Sequence, residues 1–165
     1  MTDLQYDPQG DGEAASLHVT VSGRPVPQGS ATIQRFNTAH RGTVVSSNKD
    51  RLLPWRNAVS IAANDAWGDH PPIDSPVSVA LMFSFARPKA HYGAGRNAAV
   101  LKPSAPVYPC GRGQGDIDKL ARAVLDALSD AGVFTDDSRV VSLLADKVWS
   151  SDGREGVSIE VHLVG

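Results

Sequence analysis

In the stretch SPVSVALMFSFARP, residues 75–88, the bulky apolar side chains Val77, Val79, Leu81, Phe83 and Phe85 fall on every second position. Side chains of a strand alternate between its two faces, so this spacing predicts a strand with one deeply buried face, and the intervening Ala80 and Met82 predict partial cover on the other. The same period recurs in SLHVTVSG (16–23), where Leu17, Val19 and Val21 alternate with His18, Thr20 and Ser22. It returns in GVSIEVHLV (156–164) with Val157, Ile159, Val161 and Leu163. RVVSLLADKVW (139–149) reads as a further strand, and SDGREG (151–156) as the turn that leads out of it.

From Asn48 to Trp67 the period lengthens: Leu52, Trp55, Val59, Ala62 or Ala63, and Trp67 return every three or four residues. This predicts a helix capped by Asn48 or Asp50, with Pro54 in its first turn and both tryptophans in the core. A second helix runs from Asp116 or Ile117 to about Asp130, with Leu120, Val124, Leu125 and Leu128 inward and Gly132 as its C-terminal cap. After the first strand, RPVPQGS (24–30) breaks the pattern, and two β-prone pieces, Thr32 to Phe36 and Gly42 to Ser46, suggest a hairpin presenting Arg35, His40 and Arg41. Residues 1–14 are polar and read as a disordered tail, leaving 15–165 as a single domain. The order β, ββ, α, β, α, β, β predicts an α/β domain of the α+β kind: a single mixed sheet with two main helices packed on it.

Composition narrows the class. At 165 residues, 41% hydrophobic and 21% charged, the chain is proportioned as one soluble globular domain. No apolar run approaches the ~18 residues that span a bilayer, and the N-terminus lacks the pattern of a signal peptide, so a cytoplasmic protein without a membrane partner is expected. Cys110 is the single cysteine, and the histidines show no ligand spacing. Any bound metal must therefore be held by carboxylates.

Charge distribution is more telling than the net charge of -2. No acid lies between Glu13 and Asp50, or between Asp74 and Asp116, while Arg35, Arg41, Arg87, Lys89, Arg96, Lys102 and Arg112 fall in those segments. These seven are candidate DNA contacts. Four of them, with Tyr92 and Tyr108, lie in PKAHYGAGRNAAVLKPSAPVYPCGRGQ (88–114). Structureless connections beyond about 12–15 residues are uncommon in compact domains, so this one is either a nucleic-acid-contacting loop or a disordered excursion.

The acids gather in GDIDKLARAVLDALSDAGVFTDD (115–137). In the plain structural reading Asp116 is an N-cap and Asp118 complements the helix dipole. In a fully helical stretch the two would diverge by roughly 200°. If Asp116 instead lies just before the first turn in extended geometry, both carboxylates converge at the helix N-terminus, where a divalent cation would offset their repulsion. Arg122 stands one turn after Asp118 and one before Asp126: either a solvated ion-pair ladder or a cation that binds a scissile phosphate. Asp136 and Asp137 would start about 20 Å from Asp116 at the far end of the helix, a distance that six or seven extended residues, at about 3.3 Å each, can span back. The acids would then meet within one chain, or else between two copies of it.

The run DIDKLARAVLDAL followed by AGVFTDDSRVV resembles the RusA family of Holliday-junction resolvases, including its phage-borne members. That family's pattern is an Asp-x-Asp start, a basic residue one turn later, an Asp-Ala-Leu, and an Asp-Asp after a glycine-containing turn. Asp116, Asp118, Arg122, Asp126-Ala127-Leu128, Gly132 and Asp136-Asp137 match it. The resemblance implies a homodimeric, Mg²⁺-dependent endonuclease, with Mn²⁺ as a substitute ion, that cuts four-way branched DNA by paired incisions in a bacterial or phage-infected cell. It further implies that Asp116, Asp118 and Asp137 are essential metal ligands with Asp136 auxiliary. This chain carries Lys119 and Arg122 where the best-known pattern has Asn and Lys, so the catalytic cation is either of these two. Two rivals stand beside this reading. One is a catalytically inactive DNA-binding dimer of the same fold; the other is a phosphohydrolase of small nucleotides, for which a glycine-rich phosphate cradle would be expected.

Overall fold

The computed structural model describes residues 16–29, 31–34, 43–46 and 49–165. The 1–14 tail and the turn carrying Arg35, His40 and Arg41 lie outside the described residues. Four strands form a mixed sheet: β1 (Ser16–Ser22), β4 (Val77–Phe85), β5 (Val140–Trp149) and β6 (Gly156–Leu163), in the order β1-β6-β4-β5. β6 runs antiparallel to both β1 and β4, whereas β5 runs parallel to β4. The two short pieces, β2 (Ala31–Gln34) and β3 (Thr43–Ser46), pair antiparallel in a ladder of their own. The α+β architecture read from the sequence is therefore the one observed.

The alternating residues of β4 are all buried, with Phe83 and Phe85 fully enclosed, while Met82 emerges on the opposite face. Although β5 and β6 follow one another along the chain, β4 lies between them. Their connection crosses the end of β4, where the Ser150 amide donates to the Phe85 carbonyl at 2.8 Å.

Helix α1 (Lys49–Trp67) buries Leu52, Trp55, Val59, Ala63 and Trp67 along one stripe. Pro54 lies inside the helix rather than at its start. Only the bond to the Asp50 carbonyl is removed there. A cost of about 3 kcal/mol for an interior proline is offset by burying large apolar side chains on both sides of it, worth about 1.5–3 kcal/mol each.

Helix α2 (Ile117–Asp130) buries Leu120, Val124 and Leu128 together with Ala121, Ala123 and Ala127, and Leu125 is only partly covered. The alanines let α1 lie close, and Asn64 Nδ2 reaches across to the Ala131 carbonyl at 3.1 Å. Gly132, at φ 75°, ends α2: its amide donates to the Ser129 carbonyl, and that of Val133 to the Leu128 carbonyl. This is the Schellman pattern, which favours glycine at the left-handed position. Val133 and Phe134 then turn inward, and the Val133 carbonyl and Thr135 amide bond to the backbone of Ile73, just before β4.

β5 is an edge strand, and its consecutive residues Val141, Ser142, Leu143 and Leu144 are all exposed. Exposure at both parities means that neither face of this half of the strand is covered.

Candidate active site

The second helix opens on the geometry that convergence of two carboxylates requires. Asp116 is the N-cap of α2, with φ -79° and ψ 137°, and its side chain makes no capping hydrogen bond. Extended at Asp116 and helical from Ile117, the chain brings Asp116 and Asp118 to one open cleft of about 510 Å³. Cys110, Arg112, Gly115 and Lys147 line it too. Gly115 sets this direction: its φ is 73°, and a Cβ there would lie 2.7 Å from Pro27 Cγ. Only glycine combines that backbone with so close an approach. The RPVPQG segment thus braces the approach to Asp116, Arg24 Nη2 donating to the Gly113 carbonyl at 2.8 Å and the Gln28 amide to that of Lys119 at 3.0 Å.

Two lysines meet this cleft. Lys119 Nζ lies 2.8 Å from Asp116 Oδ2. That contact, first as a hydrogen bond and then through charge, holds the Asp116 carboxyl below the usual carboxylate range, with Lys147 adding a smaller pull in the same direction. The same pair raises the Lys119 ammonium. Lys147 comes from β5 and donates to the Gly115 carbonyl at 2.8 Å. It was missed in the sequence because its partner is distant along the chain; the one signal was a lysine within an otherwise β-prone run.

Arg122 is exposed and forms no ion pair among the described residues, so of its two readings the Asp118–Arg122–Asp126 ladder is not observed. Asp126 turns instead to Arg56 of α1, whose guanidinium lies 3.5 Å from Asp126 and 2.6 Å from Asp130. A partly buried bridge between helices prevails over an exposed pair worth about 0.3–0.5 kcal/mol. Arg122 is thereby left available to an outside anion.

Asp136 and Asp137 are exposed at the opposite end of α2. Asp136 accepts from the Ser138 amide at 2.9 Å, and hydrogen bonding by Ser138 lowers its carboxyl. Asp74 is matched by Arg139 at 2.8 Å. The chain does not double back toward Asp116 here but enters β5 and travels along it to Lys147, on the order of 20 Å at about 3.3 Å per residue. Among the described residues no group of three or more acids, histidines or cysteines is placed to hold one metal ion. The four aspartates thus form two pairs, one at each end of α2. The Asp116–Asp118 pair nevertheless suits a hard divalent ion: its donors are all carboxylate oxygens, and an ammonium already sits against one of them. Mg²⁺ is commonly held by one or two carboxylates together with substrate phosphate.

The 88–114 loop is ordered into turns at Lys89–His91, Gly95–Asn97 and Arg112–Gln114, with Tyr92 bridged to Leu101. Of its candidate cations, Lys89 and Arg96 are exposed and unpaired among the described residues, and Arg112 lines the cleft. Lys102 Nζ is tied to the Ala90 carbonyl, and Arg87, at the loop's base, to that of Pro106.

Paired carboxylates on an open, cation-flanked cleft define the class of site that proteins cleaving phosphodiesters use. The profile described as Endodeoxyribonuclease RusA matches residues 22–162, most of the chain, and the protein belongs to this family of Holliday-junction-resolving endonucleases. No protein of curated description matches it.

Proposed function

We propose that the protein is a Mg²⁺-dependent endonuclease that resolves four-way DNA junctions by paired symmetric cuts, acting as a homodimer in the cytoplasm of a bacterial or phage-infected cell. The observation that carries this reading is the delivery of Asp116 and Asp118 to one cleft by an extended N-cap. When bound there, a divalent cation supplies Lewis-acid polarisation of the phosphodiester and a more acidic water. Asp116 and Asp118 would hold that ion, in place of the present pairing of Asp116 with Lys119. Arg112 and Arg122, cations without a carboxylate partner among the described residues, grip the DNA backbone, and Lys147 keeps the Gly115 turn in place.

The separation of the aspartates supports completion of the site between two copies. An exposed apolar edge such as β5 invites a second strand, and a two-fold axis would pair β5 with β5 antiparallel. Antiparallel pairing sets the start of one strand beside the end of the other. Asp136 and Asp137 of one copy would then approach Lys147 and the Asp116–Asp118 cleft of its partner. Two symmetry-related sites also suit a substrate with two symmetry-related strands. One observation favours the rival of an inactive junction-binding dimer: among the described residues, one chain does not by itself bring three acids together.

The test is incubation with a synthetic four-way junction and a matched linear duplex, with Mg²⁺ and with chelator, alongside Asp118→Asn. Symmetric cleavage of the junction that needs the metal and Asp118 is expected. Junction binding without cleavage under any divalent metal would favour the inactive dimer.

A further inference from the structure

We propose that Tyr108 stacks on a nucleobase exposed at the branch point of the DNA, held in place for that purpose by an anchor on either side of it. This rests on the nuclease reading and adds to it the element that distinguishes branched from continuous DNA.

Tyr108 and the preceding Val107 are 67% and 75% exposed, among the most open large hydrophobic residues described. Exposure of this kind on a slack loop would mean little, but here the flanking residues are fixed. The Pro106 carbonyl accepts two hydrogen bonds, from Trp149 Nε1 at 3.0 Å and from Arg87 Nη1 at 2.8 Å, filling both lone pairs. The Arg87 guanidinium also lies over the Trp149 ring, 4.9 Å from its centroid, and His91 meets the same ring edge-on at 5.3 Å. On the other side Pro109 is buried, and the Cys110 amide bonds back to the Tyr108 carbonyl at 3.0 Å. The backbone of Tyr108 is therefore pinned while its ring is left in solvent.

The ring's position matters as much as its exposure. Cys110 and Arg112, directly after the pinned turn, line the cleft that holds Asp116 and Asp118. No acid occurs between Asp74 and Asp116, so the loop offers a polyanion cations without opposing charge. An aromatic face among unopposed cations is the means by which proteins hold single-stranded or unstacked nucleotides, because every base has a π-face and the cations track the backbone. A continuous duplex keeps its bases stacked and offers nothing to such a ring. A crossover, where stacking is interrupted, does.

The test uses the full-length Asp118→Asn protein, so that DNA is bound and not cut, with a four-way junction carrying 5-iodouracil either at the crossover or in the middle of an arm. Irradiation is expected to give an adduct at Tyr108 with crossover iodouracil and not with arm iodouracil. Adding Tyr108→Ala should weaken junction binding about 5- to 100-fold while leaving duplex affinity and thermal melting unchanged. Tyr108→Trp should restore junction binding. Crosslinks that never include Tyr108, or an undiminished preference for junctions in the alanine variant, would overturn the stacking role and leave the nuclease reading intact. Failure of the Asp118→Asn parent to prefer junction over duplex, together with failure of the wild type to cut junctions, would overturn both.

Discussion

Lys147 Nζ donates to the Gly115 carbonyl at 2.8 Å, joining the last part of β5 to the residue before Asp116. One end of an exposed edge strand is thus fastened to a carboxylate pair, while its other end begins beside Asp136 and Asp137. Strand direction decides which acids can meet, and within one chain it keeps them apart.

Replacing that lysine tests the connection. Lys147→Met keeps the aliphatic stem but removes the donor and the charge, and is expected to lower stability by about 1.5–3 kcal/mol in urea denaturation, the range for a hydrogen bond to a charged group. Junction cleavage should fall at least about tenfold, because a displaced Asp116 loses its place on the cleft.

Gly115→Ala is expected to be more damaging than Gly153→Ala. Both glycines have positive φ, 73° and 78°, but a Cβ at Gly115 would meet Pro27 whereas one at Gly153 meets nothing within 4 Å. A side chain at positive φ costs about 1–2 kcal/mol in the left-handed region, and Gly115, at ψ 170°, lies in a region that essentially only glycine adopts. Thermal melting should show an additional loss for Gly115→Ala alone, accompanied by loss of cleavage.

The Asp116 carboxyl should titrate below the ordinary value of 3.8 in the metal-free protein, and Lys119→Gln should move it back up toward that value. Because the folded carboxyl is lowered, what the pair adds to stability is present above about pH 4 and is lost as pH falls through the folded value. Carboxyl ¹³C chemical shifts against pH measure this directly. An unchanged Asp116 titration in Lys119→Gln would contradict the assigned cause.

A charge on the β5 edge should separate assembly from folding. Leu144 is 62% exposed, so Leu144→Glu is expected to leave melting nearly unchanged while shifting light scattering from dimer to monomer. Cleavage should be lost with the dimer. A dimeric, active Leu144→Glu would place the subunit contact elsewhere.

Much of the fold was legible as periodicity. The alternation from Val77 to Phe85 and the three-to-four spacing from Leu52 to Trp67 each matched a buried face, because a side chain's direction follows from local geometry alone. Strand order was not legible: β4 separates β5 from β6 because a parallel crossover through α2, and not sequence proximity, chose its neighbour. At the site, the sequence allowed both a helical and an extended Asp116, and the extended N-cap is the one observed. The Arg122 ladder could not be excluded, since what removes it is Arg56 of a different helix competing for Asp126. The distance from Asp116 to Asp137 was legible only as the length of α2, and the direction of the chain after Phe134 decided the rest.

Mixing two inactive variants tests most directly whether the acids meet across two copies. Asp118→Asn and Asp137→Asn are each expected to be inactive alone. Co-expressed and purified as a heterodimer, they should leave one site doubly impaired and the other with Asp116, Asp118 and Asp137 all intact. Metal-dependent nicking of one strand of the four-way junction is the expected outcome. A heterodimer as inert as either parent, under conditions where the wild type cuts both strands, would show that each chain must supply the whole set itself.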